Sequence, residues 1–180
     1  MTLGASLSGK TTLNKILCAK KRAAGITTAV LDPLRDPEWD ADHRFHNREE
    51  FLRWARRNKR AALFIDESSM AMDKFDTRYD WLATTSRHLG HVGHFIAHRS
   101  KNISPTIRAQ APRRWIFNCT LTDAKSMAEE YNRPELIEAA QLPALEFFYV
   151  QPFKPPQRGR IVFGKNGPRV EMRSGLRLVA

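Results

Sequence analysis

Long apolar runs are missing from this chain; none approaches the roughly 20 residues that a membrane-spanning helix needs, so no such helix is expected. No basic segment followed by a long apolar stretch opens the sequence either, and no signal peptide is expected. Cysteine is scarce. Cys18 and Cys119 are the two present, too few for a disulfide scaffold. They fall in a helical and a strand pattern, read as small core residues, and suit a reducing interior such as the cytoplasm. Internal repeats and low-complexity tracts are also lacking. The charge in short supply is acid: 19 Asp+Glu stand against 30 Lys+Arg, giving a net charge of +11 and a pI near 10.2.

That surplus favours polyanionic partners, nucleic acid first and acidic membrane surfaces second. It is uneven. The segment 151–180 carries Lys154, Arg158, Arg160, Lys165, Arg169, Arg173 and Arg177 against Glu171 alone, and 99–114 carries five basic residues and no acid. Pairing with acids elsewhere, or a solvated face, would explain any one cluster; the chain-wide surplus points to a polyanion. With 180 residues, 42% hydrophobic and 27% charged, the chain is sized for one compact domain burying roughly 70% of its extended surface.

Strand-length apolar runs alternate with helical periods, which predicts an α/β fold with a mainly parallel sheet. Met1–Leu3 is long enough only for a strand stub. A helix is expected from Gly9 to about Ala24, closed by Gly25, then a strand over Ile26–Leu31 ending at Asp32-Pro33. A polar loop containing Trp and Pro follows, then a basic helix Arg48–Asn58 and the strand Ala61–Ile65. Further along come a helix Arg78–Leu89, a strand Val92–Ala97, a short helix Ile103–Ala109 and a strand Trp115–Cys119. Helices are expected over Ala124–Asn132 and Pro134–Gln141. Leu145–Val150 has strand character. Ile161–Phe163 and Arg169–Met172, joined by a turn at Gly164-Lys165-Asn166-Gly167, predict a β-hairpin on the edge of the main domain. The expected organisation is a core over residues 1–150 and a basic hairpin and tail over 151–180, joined at Pro152, Pro155 and Pro156.

Gly4-Ala5-Ser6-Leu7-Ser8-Gly9-Lys10-Thr11 fits G-x-x-x-x-G-K-[ST]. Its glycines let the loop curl so that backbone N–H groups face phosphates, and the following helix adds its positive dipole end. Gly4, Ser8, Gly9, Lys10, Thr11 and Thr12 are therefore the expected nucleotide-binding residues for ATP or GTP. Lys10 reaches the β- and γ-phosphates, and the Thr11 hydroxyl is an Mg²⁺ ligand. A second motif, Ala61 to Glu67, runs a buried strand into two carboxylates at the carboxyl edge of the sheet. Asp66 is the expected Mg²⁺ partner and Glu67 the general base that polarises water. A glutamate beside the metal-binding aspartate suits water activation; a nucleotide kinase needs no such base.

His98 ends the next strand, where a polar side chain can sense the γ-phosphate; a surface histidine is the plainer alternative. His88, His91, His94 and His98 also raise zinc, but Gly90 and Gly93 break any common helical face and no cysteine joins them. Arg87, ending the preceding helix, stands where one subunit could offer an arginine to its neighbour's ATP.

The stretch Arg87 to Arg99, with Ile103-Ser104-Pro105-Thr106-Ile107-Arg108, resembles the FtsK–HerA superfamily of DNA-pumping ATPases, in which R-x-x-G leads into a strand ending A-T-Q-R-P and then I-x-x-x-I-R. The small size is similar to that of viral genome-packaging ATPases. The resemblance runs from Gly4 to about Phe117 and departs at His98, where the family has glutamine, and at Ser100, where it has proline. It implies the additional-strand, catalytic-glutamate type of P-loop fold, in which the His98 strand lies between the other two motif strands. It also implies a homo-oligomeric ring threading double-stranded DNA, ATP sites between subunits, and capsid or portal-vertex partners in the host cytoplasm or at the virion packaging vertex. Other readings are a membrane-associated phage assembly or secretion ATPase, a small nucleotide or metabolite kinase, and a non-hydrolysing nucleotide switch.

Overall fold

The computed structural model describes residues 1–66, 80–165 and 167–173. Among the described residues nine strands form one sheet in the order β3-β2-β4-β5-β1-β6-β7-β8-β9. β1 (Thr2–Leu3), β2 (Thr28–Leu31), β3 (His43–Phe45), β4 (Ala62–Ile65), β5 (Val92–Ala97) and β6 (Arg114–Phe117) are parallel. β7 (Glu146–Val150), β8 (Gln157–Gly164) and β9 (Gly167–Met172) continue the sheet antiparallel. The expected stub, β1, is short yet central: Thr2 and Leu3 pair with Ile96 and Ala97 on one side and Trp115 and Ile116 on the other.

β2 and β4 are buried along their whole length, and alternate residues feed opposite faces. Leu63 and Ile65 join Phe51, Leu52, Leu82, Ile107 and Met127 in the larger core. Phe64 and Ala62 join Cys18 and Trp39 on the other face, beside Leu13, Ile16, Phe117 and Phe147. Helix α1 (Lys10–Ala23) therefore covers one face of the sheet. The other is covered by α2 (Arg48–Arg57), α3 (Asp80–Ala83), α4 (Pro105–Gln110) and α5 (Leu121–Glu130).

Several elements differ from expectation. β3 lies in the segment expected as a polar loop; its register, Ala29 to His43 and Leu31 to Phe45, makes it a charged edge strand with Phe45 turned inward. The helix expected over Arg78–Leu89 is described from residue 80 and breaks after Ala83, resuming as a 3₁₀ turn, Ser86–Leu89. Thr84 and Ser86 hydroxyls donate back to the Asp80 and Leu82 carbonyls at 2.9 and 2.7 Å, competing with the helical ladder. Pro134–Gln141 is 3₁₀ rather than α, with Leu136 and Ala139, three apart, buried together. The hairpin is longer than expected, beginning at Gln157, and it extends the sheet by pairing β8 with β7. Asn166 of its turn is outside the described residues.

Candidate nucleotide site

Ligands of open α/β sheets bind beyond the carboxyl ends of the strands, where the strand order reverses. Here that point lies between β1 and β5, and the Gly4–Thr11 loop follows β1. Gly4, at φ 150°, has no room for a side chain: a Cβ would sit 2.7 Å from the Phe117 Cβ and 3.0 Å from the Asn118 oxygen. The Ala5 N–H donates to that same oxygen at 2.6 Å. Gly9, at φ 110°, starts α1 without a side-chain cap. The first amides of α1 therefore have no capping side chain, as an anion site requires.

Lys10 is buried, and its Nζ donates to the Ala5 oxygen at 2.7 Å. The His98 Nδ1 is 3.4 Å from the same Nζ. The expected phosphate lysine and the expected γ-phosphate sensor thus meet across β1 and β5. Ser8 is also buried, and its hydroxyl has no hydrogen-bond partner among the described residues. Thr11 and Thr12 are half-buried in the first turn of α1. A cleft of about 410 Å³ opens beside the loop, between Ala5, Ser6, His98, Arg99, Thr120 and Asp123, within the range of small-molecule sites. Its wall is fixed by ion pairing: Arg99 Nε and Nη2 donate to Asp123 Oδ1 at 3.1 and 3.0 Å. Thr120 caps α5 and donates to Asp123 Oδ2 at 2.8 Å. Cys119 lies alongside, its thiol pushed up to about 11 by burial.

β5 runs between β1 and β4, so β4 delivers Asp66, buried, to the same edge on the far side of His98. Glu67 lies outside the described residues. β2 adds a carboxylate that motif reading passed over. Leu31 pairs with Ile65, so Asp32 and Asp66 follow each other's strands at matched positions. Asp32 is 1% exposed, accepts from the Leu34 N–H at 3.1 Å and lies 4.0 Å from Arg44. Its Asp-Pro turn marks it in the sequence only as a strand end.

Arg87 does not join this edge. It is exposed on the turn before β5, while His98 follows the other end, about 20 Å away along the strand. The four histidines also separate. The Ala61 N–H donates to His91 Nδ1 at 3.2 Å, and His91 Nε2 lies 2.9 Å from the Ala55 oxygen, so its imidazole is a buried bridge. His94 stacks on Phe64 at 4.4 Å, and His88 is exposed. Among the described residues no group of three or more His, Cys, Asp or Glu is placed to hold a metal ion.

The residues fit a nucleoside triphosphate. The loop has no room for a side chain at Gly4, its buried serine hydroxyl lacks a described partner, and an ammonium stands at its centre. Lys10 and the α1 amides would hold the phosphates; Thr11 and Asp66 are the oxygen donors suited to Mg²⁺.

A phosphate loop after a central strand, with the His98 strand inserted before the Asp66 strand, defines the fold of the P-loop ATPases, of the additional-strand type. The sequence alone matches no family model and no curated protein. Among solved structures, the chain is similar to the genome-packaging NTPase B204 of Sulfolobus turreted icosahedral virus 2, bound to AMPPCP, with TM-score 0.70, 14% identity and coverage of 97% of this chain and 95% of that one. It is also similar to the pCW3 conjugation coupling protein TcpA with ATPγS (TM-score 0.69, 15% identity, 88% and 58% covered). VirB4 of Thermoanaerobacter pseudethanolicus matches at TM-score 0.66 and 11% identity, with 87% of each chain covered. At these identities the likeness is one of fold, and at that level the packaging-ATPase resemblance read from the sequence holds.

Proposed function

We propose that this protein hydrolyses ATP and uses the energy to translocate double-stranded DNA, packaging a viral genome into a capsid. The observation that carries the reading is the 3.4 Å contact of Lys10 with His98. It ties the phosphate loop to the strand inserted before Asp66, the place where a motor senses whether the γ-phosphate is present. Bound Mg²⁺–ATP supplies the scissile phosphoanhydride and a cation that neutralises its charge. The chain does the rest. α1 and Lys10 orient the phosphates, Thr11 and Asp66 hold the metal, and Glu67 takes the proton of the attacking water. Arg87, on the opposite edge of its own sheet, acts in the site of a neighbouring subunit, which makes a homo-oligomeric ring part of the proposal. The setting is the host cytoplasm or the packaging vertex, with capsid or portal proteins as partners.

The likeness to conjugation and VirB4 proteins favours a second reading, a membrane-associated assembly or secretion ATPase. No helix among the described residues is long and apolar enough to cross a membrane.

Two variants test the chemistry. Lys10→Ala is expected to lower ATP affinity at least 100-fold in a fluorescent-nucleotide titration. Glu67→Gln is expected to bind ATP normally while turnover falls at least 100-fold. Normal turnover in Glu67→Gln would remove that residue as the base.

A further inference from the structure

The basic clusters that stand out in the sequence are partly paired with acids in the fold. Arg99 pairs with Asp123, Arg108 with Glu130, Arg158 and Arg173 with Glu146, and Arg160 and Arg169 with Glu171. Arg22 and Lys15 on α1 are likewise paired with acids of the 36–42 loop. A different region keeps its charge. Between residues 53 and 60 stand Arg53, Arg56, Arg57, Lys59 and Arg60, with no acid among them. All five are exposed, and none forms an ion pair among the described residues. The fold adds to them: the Arg60 N–H donates to the Leu89 oxygen at 2.9 Å, bringing exposed Arg87 and His88 alongside.

Arg56 and Arg57 gain from the helix dipole, since they occupy the last turn of α2. The dipole does not explain the density. Arg53 faces Arg56 and Arg57 at i+3 and i+4, a like-charge arrangement that lowers helix stability, with Glu50 and Glu49 one turn earlier at i−3 and i−4. Arg56 lies over Trp81, its guanidinium carbon 5.5 Å from the ring centroid. The cluster sits where α2 ends and β4 begins, at the amino edge of the sheet, opposite the phosphate loop. It is thus separate from the nucleotide site of its own chain.

We propose that this amino-edge surface of α2, with Arg53, Arg57 and Lys59 at its centre, binds the phosphate backbone of double-stranded DNA. The proposal rests on the DNA-motor reading and assigns it a surface. Guanidinium groups suit phosphate oxygens through paired N–H donors. The turn from Arg53 to Arg57 advances about 6 Å, over which a duplex presents about three to four charges. Contacts of this kind are indifferent to sequence, as a translocating protein requires.

The test is equilibrium binding of the full chain to a short blunt duplex over a range of salt concentrations, without nucleotide. The variant R53Q/R57Q/K59Q is compared with K125Q/K154Q/K165Q, which removes the same charge from exposed positions elsewhere. The first is expected to bind at least tenfold more weakly, with its log–log salt slope reduced by about 2.7, or about 0.9 for each phosphate no longer neutralised. The second is expected to stay within threefold of the parent. R53K/R57K/K59R is expected to keep most of the affinity, which separates an effect of charge from an effect of misfolding. Equal weakening by the two neutral variants would overturn the surface while leaving the DNA reading intact. A parent chain that binds no duplex would overturn both. Displacement of the duplex by polyglutamate at equal charge would mark the surface as a site for an acidic protein and overturn the proposal.

Discussion

His94 shows how far one side chain's environment can be from its surroundings in sequence. It is stacked on Phe64 within β5, and its Nε2 is buried without a described partner. Burial lowers its pKa from the usual 6.5 to about 3. The unfolded chain therefore binds a proton that the folded chain refuses between those values. The neutral ring costs nothing above about pH 6.5; below it, stability falls by up to about 1.4 kcal/mol per pH unit until about pH 3. Urea unfolding at pH 7.5 and pH 5 is expected to show this loss in the parent chain and to show it much reduced in His94→Phe. Equal pH dependence in the two would place the sensitivity elsewhere. At this scale the sequence displays what is contiguous. Gly4 to Thr11 is read directly because one loop carries it. The pairing of Lys10 with His98, expected only as a shared site, and the placing of Asp32 opposite Asp66 depend on strand order, which no local window contains.

Among elements, the hairpin bears on the phosphate loop. Leu145, just before β7 and at φ 68°, donates its N–H to the Ser8 oxygen at 2.9 Å and accepts from the Ile161 N–H of β8 at 2.9 Å. A Cβ on Gly9 would meet Leu145 Cδ2 at 3.0 Å, Phe117 Cε1 at 3.1 Å and Ile161 Cδ1 at 3.4 Å. The loop is thus clamped between α1 and strands more than a hundred residues downstream. Gly9→Ala, strained at φ 110° and crowded on three sides, is expected to weaken ATP binding at least tenfold while the melting temperature falls only a few degrees. Unchanged affinity would show that the clamp yields freely. Elements with a strong period, such as α1, β4 and β5, were legible from residue spacing. β3 was not, because a three-residue charged edge strand leaves no apolar run. The break after Ala83 was hidden as well, because Thr84 and Ser86 interrupt the helix through hydrogen bonds and leave its apolar spacing intact.

For the whole molecule, net charge gives the sign of the surface, and the fold decides which of its basic side chains are paired with acids. The hairpin arginines stand out in the sequence, yet the fold spends them on Glu146 and Glu171. The α2 arginines, in a stretch less conspicuous in the sequence, form no ion pair among the described residues. The sheet order separates the two ends of the molecule, with nucleotide chemistry at the carboxyl edge and exposed Arg87 and the α2 cluster at the amino edge. A ring in which one subunit's amino edge approaches its neighbour's nucleotide, and in which DNA lies against the same edge, would couple the two.

The most direct test is ATP turnover by the purified chain, with and without long double-stranded DNA, across a range of protein concentrations. Turnover that rises steeply with protein concentration, and rises further with DNA, is the result expected of subunits sharing sites around a duplex. Turnover per subunit that is indifferent to both concentration and DNA, or that appears only with a small phosphate acceptor, would contradict the motor.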